Sequence, residues 1–297
     1  MRNTVVISVV STKGGVGKTT HAATLGGLAA ALGLRTLLID GDVQPSLSKY
    51  FKLKHHSATG MAEVISAGGL IQPRDISHTE LDNLHLIRSN MTDMTQAWLK
   101  EREDRLILLK RAVRQPVVRE NYDLVVIDTQ GAKGELQRTA AMAADVMLSP
   151  LRPDVMSYTE FHVGTLEMLT SLNSMSDLSA ELKSGSLCVL INCMDRTRNA
   201  VAVAEAVRAD FRGHPNVRLL DTVVPQAAIY PMARTFNLPV HAMDSPNGNR
   251  NKSMSAYETM HRLIFELLPH TKGMWVDGPP ASEEAVVELP QASGADA

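Results

Sequence analysis

Aromatic side chains make up only 4% of the 297 residues: five Phe, five Tyr and two Trp. With 44% hydrophobic residues overall, the core must be filled by Leu, Val, Ile, Ala and Met. Such a composition suits helices packed on a parallel sheet. Cysteine is scarcer still, with Cys188 and Cys193 alone. That excludes a disulfide-stapled scaffold, and a C-x4-C pair without two further ligands is not a zinc site, so buried free thiols are expected. Two thiols and no signal-peptide pattern point to a reducing cytoplasm. No apolar run approaches eighteen residues, so no segment reads as a membrane span. Strong charge is missing too, since a formal net charge of -2 announces no polyanion binder. The charge is unevenly placed, however. Asp277, Glu283, Glu284, Glu288 and Asp296 follow Gly273 with no Lys or Arg, and without those five acids the body stands at +3. A mildly basic body can carry a local basic patch.

What the chain does have is concentrated near its start. The stretch Ser11-Thr12-Lys13-Gly14-Gly15-Val16-Gly17-Lys18-Thr19-Thr20 follows an apolar run, 5–10, and precedes an Ala/Leu-rich segment ending at Leu32-Gly33. Strand, glycine loop and helix form the context a phosphate-binding loop requires. Backbone N–H groups and the helix N-terminus would wrap a polyphosphate. Lys18 would neutralise β- and γ-phosphate charge, and the Thr19 hydroxyl would ligate Mg2+. The ordinary pattern has Gly five residues before Gly17, where this chain has Thr12. It has instead a second lysine, Lys13, beside the glycine pair, which is the deviant form of the loop.

Hydrophobic periodicity predicts strands at 4–10, 36–39, 84–87, 124–127, 146–150, 187–191 and 219–224. Helices are predicted at 17–32, 60–66, 94–114, 134–143, 155–171, 198–211, 229–236 and 255–268. Continuous apolar strands such as Leu124-Val125-Val126-Ile127 are covered on both faces. The expected fold is a three-layer α/β/α sandwich with a mostly parallel central sheet, a P-loop NTPase, spanning 1–272. The acidic segment 273–297 is expected to be a disordered tail. Ligands in such sheets bind beyond the carboxyl ends of the strands.

Three strand ends carry further chemistry. After 36–39 come Asp40 and Asp42 at alternate positions, near the mouth of the phosphate site or, alternatively, capping a helix at Pro45. Asp128 ends the 124–127 strand, the usual way to hold Mg2+ through water, and Gly131 frees the following loop to move. Asn192 and Pro225 end two later strands on the same rim. An Asn amide suits an adenine edge, or serves as a turn cap.

Taken in order, Lys-Gly-Gly-Val-Gly-Lys-Thr-Thr, Leu-Ile-Asp-Gly-Asp-Val-Gln-Pro-Ser and Tyr-Asp-Leu-Val-Val-Ile-Asp-Thr-Gln-Gly-Ala resemble the ParA family, deviant-Walker ATPases of the MinD/ParA superfamily that partition plasmids, chromosomes and integrative elements. The resemblance runs from about residue 5 to 268 and is closest to the short ParA or Soj type. It implies ATP and Mg2+ as cofactors. Lys13 matches the signature lysine that reaches the partner subunit's ATP. Gly14, Gly15, Val16, Gly17, Lys18, Thr19 and Thr20 match the phosphate cradle. Asp42 matches the acid that orients the attacking water, Asp40 the support of the Mg2+ shell, Asp128 the water-mediated Mg2+ acid, and Asn192 with Pro225 the adenine pocket. A carboxylate is a weak base at neutral pH, so orientation rather than proton abstraction is the expected role of the attacking-water acid.

The resemblance also implies an ATP-dependent homodimer, a ParB-like centromere-binding partner, slow partner-stimulated hydrolysis and a nucleoid-associated cytoplasmic protein. Non-specific DNA would be bound through Lys/Arg–phosphate contacts, with Arg196, Arg198, Arg234, Arg250 and Lys252 as candidates that equally read as surface charges. Two departures stand out. The family's Asp-Pro-Gln is here Asp42-Val43-Gln44-Pro45, and the arginine usual after the late Val-Pro is Gln226. A MinD-like membrane-positioning ATPase and a nucleotide-gated scaffold are the alternatives. The first would need helix 255–268 to be a membrane-surface helix, whereas its apolar spacing reads as core packing and the tail beyond it is acidic.

Overall fold

The computed structural model describes residues 4–131, 133–176, 179, 182–246 and 254–277. The chain alternates strand and helix: β1 (Val5–Val9), α1 (Lys18–Ala31), β2 (Thr36–Gly41), β3 (Leu53–His55), α2 (Met61–Ser66), β4 (Ser77–Thr79), β5 (Leu84–Ile87), α3 (Asp93–Glu101), α4 (Leu108–Val113) and α5 (Pro116–Arg119). There follow β6 (Leu124–Thr129), α6 (Glu135–Ala143), β7 (Val146–Leu151), α7 (Val155–Glu160), α8 (Glu167–Ser176), β8 (Ser186–Met194), α9 (Arg198–Phe211), β9 (Val217–Pro225), α10 (Ile229–Phe236) and α11 (Ala256–Leu267).

The strands form one sheet in the order β3-β4-β5-β2-β6-β1-β7-β8-β9. All pairs from β5 to β9 are parallel, and β3–β4 and β4–β5 are antiparallel. Period-two alternation divides the core. Ile7, Leu38, Leu124 and Val126 face α1 and α11, whereas Val6, Leu37, Val125 and Ile127 face the layer that holds α2, α4 and α6. The three-layer expectation is therefore met, with helices on both faces.

The differences from the predicted elements have local causes. Strands β3 and β4 have three residues each, too short for a periodicity signal, and exist because they pair with an edge already formed. The predicted helix 94–114 is broken: Arg102 takes an extended conformation at ψ 135° and forms a two-point ion pair with Asp104. The predicted helix 155–171 continues to Ser176 but contains a π-helical turn, Phe161–Leu166. Helix α11 buries Tyr257, Met260, Leu263, Ile264 and Leu267, so its apolar face is core rather than a membrane-facing surface. Among the described residues no helix is long and apolar enough to cross a membrane.

The body extends a few residues past the expected boundary at 272. Trp275 stacks on His261 at 4.7 Å, Val276 N–H donates to His261 Nε2 at 3.3 Å, and the Tyr257 hydroxyl donates to the Val276 carbonyl. The remaining tail, 278–297, lies outside the described residues. Both cysteines are free thiols, Cys188 buried and Cys193 half-buried.

Candidate functional site

The strand order brings three strand ends together. β6 lies between β2 and β1, and the register pairs Asp128 with Asp40 on one side and with Val9 on the other. The glycine loop leaves β1 one residue after Val9. The Thr129 hydroxyl donates to the Val9 carbonyl at 2.8 Å, tying the loop's root to β6.

The loop ends at Gly17, which has φ 91° and ψ 16° and serves as the N-cap of α1 without a side-chain cap. Helix α1 therefore opens with unpaired N–H groups aimed along the loop, the arrangement that binds anions. Lys18 is buried and its ammonium donates to the Lys13 carbonyl at 2.9 Å. Burial lowers its pKa, while Asp128 and Asp42 pull the other way. Gly131, in the loop beyond β6, lies against the same place. A β-carbon there would come 2.8 Å from Gly14 Cα and 3.0 Å from Lys18 Nζ, so the two loops touch where a terminal phosphate would be held.

Asp40 and Asp128 are both fully buried. Asp40 accepts from Ser48 N–H at 2.7 Å, from the Ser48 hydroxyl at 2.6 Å and from Asp42 N–H at 3.2 Å. Burial pushes its pKa up to about 6 despite these bonds. Asp128 accepts from Thr129 N–H at 3.0 Å, and its other oxygen has no partner. Burial and the adjacent Asp40 push it to about 8, only partly offset by the neighbouring Thr19 hydroxyl and Lys18 ammonium. The orphaned Asp128 oxygen and the Thr19 hydroxyl, with Asp40 held behind them by Ser48, form a hard-oxygen donor set that a divalent cation such as Mg2+ would satisfy. The residues present fit that ion.

The raised carboxyl pKa makes stability depend on pH. The folded pKa of Asp128 lies above its unfolded value, so folded protein without metal or nucleotide takes up a proton and its stability falls as pH rises from about 4 to about 8. Asp128→Asn removes that dependence. Its melting temperature is expected to match wild type near pH 4 and to exceed it near pH 8 by an amount equivalent to a few kcal/mol, on the order of 1.4 kcal/mol for each tenfold difference in proton affinity between the folded and unfolded chain. Parallel melting curves of the metal-free proteins at both pH values check this, and a constant difference would refute it.

Asp42 is half-buried on the loop after β2, where it accepts from Gln44 N–H at 2.9 Å. The displaced proline leaves it at the rim. No α-helix begins at Pro45. A 3-10 turn, Leu47–Lys49, delivers Ser48 to Asp40 instead. Lys13 is also half-buried. Against the opposing effect of burial, hydrogen bonds from Ser157, helped by the charges of Lys13 and Arg152, hold Asp154 below the ordinary carboxylate range.

Asn192 and Pro225 do share the rim, on β8 and β9. The Asn192 amide, expected from sequence to be an adenine contact, has a protein partner for its nitrogen in this structure. It is buried and its nitrogen donates to the Val16 carbonyl at 2.7 Å. His21 lies beside it near Gly17, and burial lowers the His21 pKa to about 4, with Asn192 pulling the other way. The pair braces the phosphate loop from beneath. Arg196, Arg198 and Arg234 are exposed, Arg198 at the start of α9 and Arg234 on α10. Arg250 and Lys252 lie outside the described residues.

Sequence reading missed His21 and Ser48. His21 follows the loop motif by one residue, so the signal was its unusual imidazole on a helix that is otherwise small and apolar. For Ser48 no signal was available, because its role depends on the turn that returns it to Asp40.

A loop cradle at a helix N-terminus, with two acids beyond adjacent parallel strands, defines a P-loop nucleotide-binding protein. A family model described as an AAA domain matches residues 4–179, and the chain belongs to that family, as a ParA/Soj-type P-loop ATPase of the MinD/ParA superfamily. Chromosome partitioning protein ParA of Myxococcus xanthus is 29% identical over 270 residues, covering 88% of each chain. A Rhizobium rhizogenes protein is 34% identical over 187 residues, which span 57% of this chain and 46% of that longer relative. Among solved structures, an ATP complex of a variant of Cyanothece McdA superposes with a TM-score of 0.73 at 19% identity, covering 91% of this chain and 98% of that one, which shows the shared fold.

Proposed function

We propose that this protein is an ATP-dependent dimerising switch that positions DNA, hydrolysing ATP slowly until a partner stimulates it. The observation that carries the reading is Lys13, a second lysine in a loop whose own Lys18 already supplies the local cation. A lysine at that place serves a site other than its own. In this reading Gly14 to Thr20 bind the phosphates through backbone N–H groups, and Lys18 neutralises their charge. Thr19 and Asp128, with Asp40 behind them, hold Mg2+, which would offset charge on the β- and γ-phosphates when bound. Asp42 orients the attacking water. Gly131 lets the loop beyond Asp128 follow the terminal phosphate. Lys13, which in this structure acts on Asp154 only through its charge, reaches the nucleotide of a second copy, which couples dimerisation to nucleotide state.

The ATP-bound relative and the chromosome-partitioning relatives support the nucleotide and the DNA-positioning role. The proposed partner is a ParB-like DNA-binding protein, and the proposed track is non-specific DNA gripped through exposed arginines such as Arg196, Arg198 and Arg234. Such binding weakens steeply with salt.

Light scattering after gel filtration tests the central step. With Mg2+ and saturating ATP, wild type is expected at the dimer mass and Lys13→Ala at the monomer mass. Identical monomer profiles for both would remove the dimer, and with it the reason for the second lysine.

A further inference from the structure

The π turn, Phe161–Leu166, interrupts the helical stretch that follows β7. Single π turns within helices are rare and frequently mark functional sites. This one is seated on the phosphate loop. Gly164 and Thr165 are buried, and a β-carbon at Gly164 would overlap the Thr12 side chain. The Thr12 N–H donates to Thr165 Oγ1 at 3.4 Å. Thr12 stands where the ordinary loop carries glycine, so here a side chain of the loop reaches the turn.

A second loop grips the same turn. Lys133, shortly beyond Asp128, donates to the Val163 carbonyl at 2.8 Å. Its ammonium also pairs with Glu167, the first residue of α8, at 3.5 Å. The loop that carries Lys133 also carries Gly131, where a β-carbon would come 2.8 Å from Gly14 Cα. The contacts therefore close a ring: Gly14 to Gly131, Lys133 to Val163, and Gly164 back to Thr12.

The turn also has room to shift. A cavity of about 210 Å3 lies between it and α6, with Thr12, Lys133, Gly164 and Glu167 in its lining. Close-packed interiors resist displacement, and this side of the turn is not close-packed. The start of the turn is anchored, since Phe161 is buried and meets Phe211 of α9 edge-on at 5.7 Å. Directly before the turn comes α7, whose N-cap is Asp154 and whose first residues, Val155 and Met156, are exposed.

We propose that Lys133 is a positioning residue, a latch that ties the loop beyond Asp128 to the π turn and so passes the state of the nucleotide site to α7. When the loop follows the terminal phosphate, the Lys133 ammonium carries the Val163 carbonyl with it. The driving nucleotide is that of the ATPase reading, on which this inference rests. The link between the two segments is a property of the protein alone.

Hydrogen-exchange mass spectrometry on the full-length protein tests both halves. Without nucleotide, Lys133→Met is expected to speed exchange at 129–135 and at 161–168 by about threefold or more. Unchanged exchange at either segment would overturn the latch. With Mg2+ and a non-hydrolysable ATP analogue, wild type is expected to slow at 12–20, 129–135 and 161–168. Lys133→Met should keep the slowing at 12–20 and lose that at 161–168, and Lys133→Arg, which retains a charged donor, should restore it. An exposed lysine adds little to global stability, so both variants are expected to melt near wild type. Equal slowing at 161–168 in wild type and Lys133→Met, or none in wild type that slows at 12–20, would also overturn the latch. If the analogue leaves 12–20 unslowed in wild type, the ATPase reading is struck, and the nucleotide-free comparison alone decides the latch.

Discussion

Asp42→Ala is expected to lower ATP turnover by about two to three orders of magnitude while ATP affinity stays within a few-fold of wild type. Asp42 is the only one of the three site carboxylates that reaches the rim. Asp40 and Asp128 are sealed in the sheet, and Asp40 is already saturated by Ser48 and the Asp42 N–H. A water approaching a terminal phosphate from solvent therefore meets Asp42 first. The carboxylate is tethered to Gln44 N–H, which limits its rotation and gives it the defined position that orienting a nucleophile needs. Removing it leaves Lys18, the N–H groups of the loop and the oxygen donors in place, so binding survives. The variant should consequently accumulate in the ATP-loaded dimer. Phosphate release and light scattering on one preparation check both halves. Turnover within tenfold of wild type would assign the water to another residue.

Gly17→Ala is expected to cost about 3 kcal/mol, roughly a hundredfold in nucleotide affinity. The left-handed backbone at φ 91° disfavours any L-residue, and this accounts for part of the loss. The rest is specific to this fold. A β-carbon at Gly17 would sit 2.8 Å from the Asn192 amide nitrogen and 3.6 Å from the His21 ring. The amide must then release the Val16 carbonyl, and the loop loses its brace. Gly33→Ala is the matching control. Gly33 has φ 86° and nothing within 4 Å of an added β-carbon, so it should lower the melting temperature without weakening nucleotide binding. Equal affinities for Gly17→Ala and wild type would show that the brace is unimportant.

Asn192 shows how a strand-end position leaves a side chain's contacts open. It lies near the end of an apolar strand, where its amide nitrogen donates to the Val16 carbonyl. What the amide touches there depends on α1 passing beneath β8 with His21 facing it, a contact between residues 171 positions apart in the chain. The broken helix at Arg102–Asp104 is a similar case. Its apolar spacing runs through the break, because period alone does not register an arginine whose extended backbone is held by an acid two residues on.

The phosphate loop, the acids at the ends of apolar strands and the layered fold were legible because each rests on chain continuity: glycine spacing, alternation, and an abrupt change from apolar to charged. Lys13 was legible for the same reason, as a second lysine in a ten-residue motif. Tertiary structure decided what neighbours across the sheet do to one another. The order β2-β6-β1 sets Asp40 and Asp128 side by side within the sheet, where burial raises both pKa values and Asp40 adds to the rise at Asp128. Ser48 returns through a 3-10 turn to clasp one of them. The π turn seats Gly164 against Thr12, at the position where the usual loop carries glycine, and leaves a polar cavity behind it. These are set by register and close packing between distant segments, energies that no local pattern records.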